Sequence, residues 1–211
     1  MSASVRRLEP ADLGWATALL VAACAELPVL RYCCTGPAAA AQRAWVLRQL
    51  LRFGLRFGRV YTNAEGSALA VWLSTKQPTA TLYQLVRAGL LPAALWHFGW
   101  AGFQRLRSVR TTAAALQRQS TGLVEHYHLV ALVVAPAYRG RGVGRRMLQA
   151  ALAAMQATHA PCYLDTQQPE QLIFFQRLGF QLTGHCQLGP EANAPVNWGL
   201  VRPSTPDGPF H

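Results

Sequence analysis

Apolar positions in the first half of the chain recur mainly at helical spacing, and in the second half β-rich runs alternate with helical ones. Val5 to Leu8 reads as a short strand. Pro10 and Asp12 then open a helix from about Ala11 to Glu26, with Leu13, Ala16, Leu20, Ala23 or Cys24 and Leu27 on one face. Residues 28–36, with Pro28, Gly36 and the Cys33–Cys34 pair, read as a loop. From Ala38 to Phe57, Trp45, Leu47, Leu50, Leu51 and Leu55 alternate with Arg43, Arg48, Arg52 and Arg56, an amphipathic helix with a cationic solvent face. Arg59–Asn63 and Ala68–Ser74 form a hairpin turning at Glu65-Gly66. Residues 79–118 read as helix in two pieces, the second opening at Pro92.

Beyond residue 124 the pattern changes. His126 to Val134 is β-rich and stops at Pro136; a glycine–arginine loop leads into an alanine-rich helix reaching about His159. A strand at Cys162–Asp165, a helix at about Pro169–Leu178 and strands near Phe180–Gln187 and Val196–Arg202 complete the series. This order predicts an α/β (α+β) fold, a single mixed sheet with helices packed on it. No internal repeat or low-complexity linker interrupts the 211 residues, so one domain is expected.

Composition narrows the function. Twenty Lys+Arg against nine Asp+Glu give a net charge of +11, and Lys76 is the only lysine. Such a surplus points to an anionic partner: nucleic acid, a membrane surface or a phosphorylated small molecule. The apolar run Leu90–Phe103 contains Pro92 and His97 and is too short to span a bilayer. Val21-Ala22-Ala23-Cys24 has the form of a lipoprotein cleavage site. Glu9 and Asp12, lying between Arg6-Arg7 and the apolar run, favour a helix of the domain instead. Five cysteines without CxxC or zinc spacing read as reduced, mostly buried thiols of a cytoplasmic protein.

The stretch Leu132–Arg146, LVVAPAYRGRGVGRR, carries the chemistry. An apolar strand stops at Pro136, and Arg139, Gly140, Arg141, Gly142, Val143 and Gly144 lead into a helix. Glycines at 140, 142 and 144 allow positive φ and close approach of another group, and N–H groups at a helix N-terminus attract anions. Arg145 and Arg146 in the first turn oppose the helix dipole unless an anion binds there. Four arginines and three glycines within eight residues suit a pyrophosphate. A nucleotide P-loop is excluded, since no Gly-Lys-Ser/Thr follows, and the dinucleotide fingerprint fails because Met147 stands where its third glycine would be.

The string V-x-P-x-x-R-x-x-G-x-G, met at Val134, Pro136, Arg139, Gly142 and Gly144, resembles the acyl-coenzyme A signature of the GNAT-type N-acetyltransferases. Cys162–Phe180, ending Leu178-Gly179-Phe180, resembles their later strand–helix motif. Across the chain the layout is closest to puromycin N-acetyltransferase-like bacterial enzymes, as at Ala70-Val71-Trp72. The resemblance implies a mostly antiparallel sheet with helices on both faces and splayed central strands. It also implies an acceptor-side half at 1–123, an acetyl-CoA-binding half at 124–202 and a tail at 203–211. Acetyl-CoA is the implied co-substrate, with no metal, and a small primary amine the acceptor. The pantetheine arm would lie along Leu132, Val133 and Val134, with Arg139, Gly140, Arg141, Gly142, Val143, Gly144 and Arg145 at the phosphates and Gln171 and Phe175 near the thioester.

Two departures follow. Phe175 stands where the family places a tyrosine that protonates the departing thiolate, and Gln171 replaces the family asparagine. Candidates for the base are Glu125, His126, His128 and Asp165. His126 and His128 share one strand face, with hydrogen-bonded sheet residues as the plainer account of each. A metal at His-x-His has no nearby third ligand. Asp165 either faces the cleft or caps the helix after Pro169. Tyr32, Trp45, Trp72, Tyr83, Trp96 and Trp100 are core aromatics or shape the acceptor pocket, and Arg105, Arg107 and Arg110 line a solvated face or meet an acidic acceptor.

Three functions remain open: a small-molecule N-acetyltransferase working as monomer or homodimer, a protein lysine or N-terminal acetyltransferase, and a catalytically weak acyl-CoA-binding sensor. Nucleic-acid binding has no motif behind it, because aromatic residues do not interleave with the basic run. No membrane partner is expected.

Overall fold

The computed structural model describes residues 5–24, 26–75, 90–122, 124–155 and 160–204, of which 90–94 by backbone alone. Strands β1 (Val5–Arg7), β2 (Gly58–Asn63), β3 (Ala68–Ser74), β4 (Tyr127–Val134), β5 (Cys162–Thr166), β6 (Gln181–Gln187) and β7 (Val196–Arg202) form one sheet ordered β1-β2-β3-β4-β5-β7-β6. Every neighbouring pair is antiparallel except β4 and β5, which run parallel. The helices are α1 (Leu13–Cys24), α2 (Pro28–Cys33), α3 (Ala39–Phe57), α4 (Leu90–Thr121), α5 (Val143–Met155) and α6 (Leu172–Gln176).

Alternation along the strands sends side chains to two cores. Ala68, Ala70 and Trp72 of β3 meet Met147, Leu148, Ala151 and Leu152 of α5 on one face, joined by Leu129, Leu164 and Leu200. On the other face Leu69 and Val71 pack with Val60 and Val133 against Leu20 of α1 and Leu47 and Leu51 of α3. The C-terminal part of α4 covers that same face over β6 and β7. Leu20, Leu51, Leu148 and Leu200 are wholly buried, so truncating any one to Ala costs about 2–5 kcal/mol.

Three expectations require correction. Residues 28–36 are not all loop: Pro28 is the first residue of α2, where its missing N–H is no loss, and burial of Leu30, Tyr32 and Cys33 holds the turn in place. The helix expected to open at Pro92 does open there, at Leu90 with Pro92 in its first turn, but it is not one regular piece: Gly99, with φ of 61° and ψ of −177°, kinks α4 where no break was expected. Residues 79–89 of that expected helix, Tyr83 among them, lie outside the described residues, as do 156–159 beyond α5. The 169–178 helix divides into a 3₁₀ turn at Pro169–Gln171 and the short α6. No helix among the described residues is long and apolar enough to cross a membrane. All five cysteines are free, and burial pushes the Cys162 thiol up to about 11.

Candidate functional site

β4 and β5 pair only at Tyr127–Cys162, His128–Tyr163 and Leu129–Leu164. There β4 gains a residue: Val71 faces Ala131 and Trp72 faces Leu129, leaving Val130 as a bulge. The bulge turns Leu132 and Val134 to the α5 face and Ala131 and Val133 to the α1/α3 face. Past Leu129 the two strands diverge, while β4 stays paired to β3 through Val134. Ala135 N–H donates to the Ser67 carbonyl at 2.8 Å on the β3 side. By strand alternation the N–H groups of Leu132 and Val134 therefore point into the gap on the β5 side.

The glycine–arginine loop continues from this open edge. Gly140 and Gly142 hold φ of 73° and 71°, which side-chain-bearing residues adopt only at a cost. The first hydrogen bond of α5 runs from Arg146 N–H to the Gly142 carbonyl at 3.1 Å, so the N–H groups of Val143, Gly144 and Arg145 have no turn beneath them. Gly144 lies against Val134 and Phe174. The arginines divide by role. Arg139 is a strut, donating from Nε to the Val134 carbonyl at 3.3 Å and from NH2 to the Ala23 carbonyl of α1 at 3.2 Å. Arg146 braces the loop through the Arg141 carbonyl at 3.0 Å, and Arg141 stacks over the Tyr138 ring at 5.9 Å. Arg145 is exposed in the first turn. Unpaired N–H groups, left-handed glycines and cationic side chains at one helix end fit a pyrophosphate.

Where the strands part, His128 Nε2 lies 3.1 Å from Asp165 Oδ1, and both side chains keep slightly under a fifth of their surface exposed. Asn197 of β7 donates from Nδ2 to Asp165 Oδ2 at 2.6 Å. Burial alone would raise the Asp165 carboxyl; the bond to His128, its charge and the Asn197 amide outweigh burial and hold it below its ordinary value. Asp165 thus turns to the cleft-side imidazole and not to the helix cap. Tyr163 stacks edge-on to His128 at 5.0 Å, and a side chain at position 199 would run into its ring and hydroxyl, so Gly199 lets β7 pass close.

His126 is placed differently. It is buried, its Nδ1 bonded to the Val124 carbonyl at 2.8 Å and its Nε2 to the Gln117 side chain at 2.8 Å. Burial lowers its pKa, against the effect of the Val124 bond, and the neighbouring His128 adds to the lowering. Glu125 is exposed just before β4. Phe175 is buried in the apolar cluster of Leu164, Val143, Leu132 and Val134, edge-on to Phe174 at 5.0 Å and Phe180 at 6.0 Å. Gln171 accepts from Thr166 Oγ1 at 2.8 Å and donates to Gln168, tying α6 to the end of β5.

The aromatics also divide. Trp72 is wholly buried, Tyr32 is buried with its hydroxyl on Glu191, and Trp45 packs on His97 and Phe98. Trp96 and Trp100 are exposed. Arg105 pairs with Glu191 at 3.6 Å and lies over the Tyr32 ring at 5.5 Å. Asn197 was not anticipated from the sequence. Its one signal there is an amide with poor β propensity inside an apolar strand, Val196–Arg202.

A sheet opened at its parallel pair, with a basic glycine-rich turn at the open edge, can take a phosphate-bearing ligand along β4. Residues 100–182 match the family model described as acetyltransferase (GNAT) domain. That match spans α4 from Trp100 to the start of β6 and takes in the glycine–arginine loop and the parallel strand pair. The fold is shared with a Corynebacterium glutamicum structure described as histone acetyltransferase HPA2 and related acetyltransferase. Identity is 20%, coverage 99% of this chain and 100% of that one, and the TM-score 0.70. The Drosophila melanogaster polyamine N-acetyltransferase is 22% identical over 94% of this chain and 98% of its own, with a TM-score of 0.59. An arylalkylamine N-acetyltransferase 7 of the yellow fever mosquito Aedes aegypti is 14% identical over 93% and 85%, with a TM-score of 0.61.

Proposed function

We propose that this protein transfers an acetyl group from acetyl-CoA to the primary amine of a small molecule, by direct attack with both substrates bound. The observation that carries this reading is the end of β4–β5 pairing at Leu129–Leu164, followed along β4 directly by the glycine–arginine loop. A thioester arm in the gap would meet the Leu132 and Val134 main chain while its pyrophosphate meets the N–H groups of residues 143–145. Residues 124–202 then form the acetyl-CoA half and 1–123 the acceptor side, in a cytoplasmic protein whose free, mostly buried thiols suit that compartment.

Acetyl-CoA supplies an activated carbonyl; the new bond is C–N and the one broken is C–S. Asp165, ionised, can only accept, so it takes the Nε2 hydrogen of His128 and leaves the lone pair on Nδ1. Nδ1 is the atom assigned to take the proton of the attacking amine, with Asp165 fixing the tautomer. A main-chain N–H in the gap, of Leu132 or Val134, stabilises the carbonyl oxygen as it gains charge. Phe175 has no proton to give, so the sulfur leaves as the thiolate and takes its proton from water. That observation also favours a second reading, an acyl-CoA-binding sensor. Acceptors recognised by the solved relatives, polyamines and arylalkylamines, define the amine panel.

Calorimetry with CoA and thiol-release assays across that panel test the reading. CoA binding with amine-dependent thiol release is the expected result. Absence of CoA binding overturns both readings, and binding without release under any amine selects the sensor.

A further inference from the structure

The polar group at the gap extends beyond the base. Asn197 is wholly buried, yet it is an amide in an apolar strand and lies on the same face as Tyr163, Asp165 and Gly199. Its Nδ2 holds Asp165 Oδ2 at 2.6 Å, and its Oδ1 accepts from Gln167 Nε2 at 2.5 Å. The chain of bonds therefore runs Gln167, Asn197, Asp165, His128, from the loop after β5 through β7 and β5 to β4. Each Asp165 oxygen has one of these partners, and a carboxylate anchored at both oxygens cannot turn about its last torsion. Asn197 also stands two residues after Pro195, at the exit of the β6–β7 loop. That loop is tied to the acceptor side where Tyr32 and Arg105 hold Glu191.

We propose that Asn197 is a positioning residue: held by Gln167, it fixes the Asp165 carboxylate so that His128 keeps its hydrogen on Nε2 and its lone pair on Nδ1. This rests on His128 being the base proposed above. A buried amide that only satisfied its neighbours would contribute to stability and leave the imidazole tautomer alone. A positioning amide shifts that tautomer and acts on rate only through His128.

The test uses the full chain, with the His128 tautomer read by long-range ¹H–¹⁵N correlation without any substrate present. In the native protein neutral His128 is expected as the Nε2–H form, and in Asn197→Ala and Gln167→Ala as a mixture. Gln167→Ala removes a half-buried side chain and serves if Asn197→Ala fails to fold. With acetyl-CoA and a reactive amine, Asn197→Ala lowers kcat about tenfold and leaves the KM for acetyl-CoA within about twofold. In a His128→Gln background the same change has no further effect. An unchanged tautomer in both variants, or a full additional loss in the His128→Gln background, overturns the proposal. Failure of the acetyltransfer reading would appear separately, as absent turnover in the native protein, with the tautomer measurement still standing.

Discussion

The loop at Arg139–Arg146 and the group formed by His128, Asp165 and Asn197 are neighbours across one gap, but they are built in opposite ways. The loop is a single run of chain whose geometry is local: left-handed glycines, one helix end and a strut to the strand just before it. The polar group draws one residue from each of three strands, and its members meet only because β4 lies between β3 and β5 and β7 adds to the far edge of β5. The first kind of site suits a ligand part that never varies, such as a pyrophosphate. The second can be retuned by single substitutions without disturbing the glycine–arginine loop.

The sharpest way to break that separation is at the two histidines of one strand face. His128→Gln is expected to lower kcat about 10²–10³-fold with CoA affinity unchanged, since it removes the proposed base. His126→Gln is expected to keep activity within a few-fold and cost about 1 kcal/mol of stability, because both ring nitrogens are already bonded inside the fold. Steady-state kinetics, CoA calorimetry and denaturant melts measure the pair, and equal losses of rate would show that the two are not distinct.

On the other side of the gap the effects should fall on CoA binding. Gly142→Ala forces an L-residue to a φ of 71° and sets its methyl 3.2 Å from the Arg146 guanidinium, a cost of about 1 kcal/mol that weakens CoA several-fold in calorimetry. Arg145→Ala should weaken CoA by a similar factor that shrinks as salt is added. Arg139→Ala should instead lower the melting temperature, because its guanidinium is spent on the Val134 and Ala23 carbonyls. A larger loss of CoA affinity for Arg139→Ala than for Arg145→Ala would reverse this division of roles.

The smallest effect concerns pH. Burial depresses the His126 pKa, so the unfolded chain takes up a proton that the folded ring resists. Stability from this group is present above the ordinary histidine value of about 6.5 and is lost as pH falls below it. The depressed Asp165 carboxyl has the same sign in a lower window, stabilising above the ordinary carboxyl value of about 4 and losing that contribution as acid protonates it. Melting temperatures across pH 5–8 should fall toward the acid end in the native protein and less steeply in His126→Gln.

Periodicity was enough to place the strands and the longer helices, because alternation and helical spacing are written in nearest neighbours. It failed where a local signal had two meanings. Pro28 marks a loop or the first residue of a helix, and the burial of Leu30, Tyr32 and Cys33 chose the helix. Pro92 opens α4 as its place in a first turn allows, but Gly99 inside the same apolar run could be a tolerated helix residue or a left-handed kink, and the fold chose the kink. Asp165 was a candidate by its place at the end of a strand, yet its partner could not be read, since cap and imidazole lie on different elements.

By itself the chain determined the glycine–arginine turn ahead of α5, the sheet class and the face shared by His126 and His128, all consequences of short-range sequence. Only the tertiary structure separated those two histidines. One ring sits under Gln117 of α4 with both nitrogens used, and the other lies where β5 leaves β4 and Asp165 can reach it. The physical reason is that a side chain's chemistry depends on burial and on which polar partners fold against it. Those partners come from residues as far apart as 117, 165 and 197.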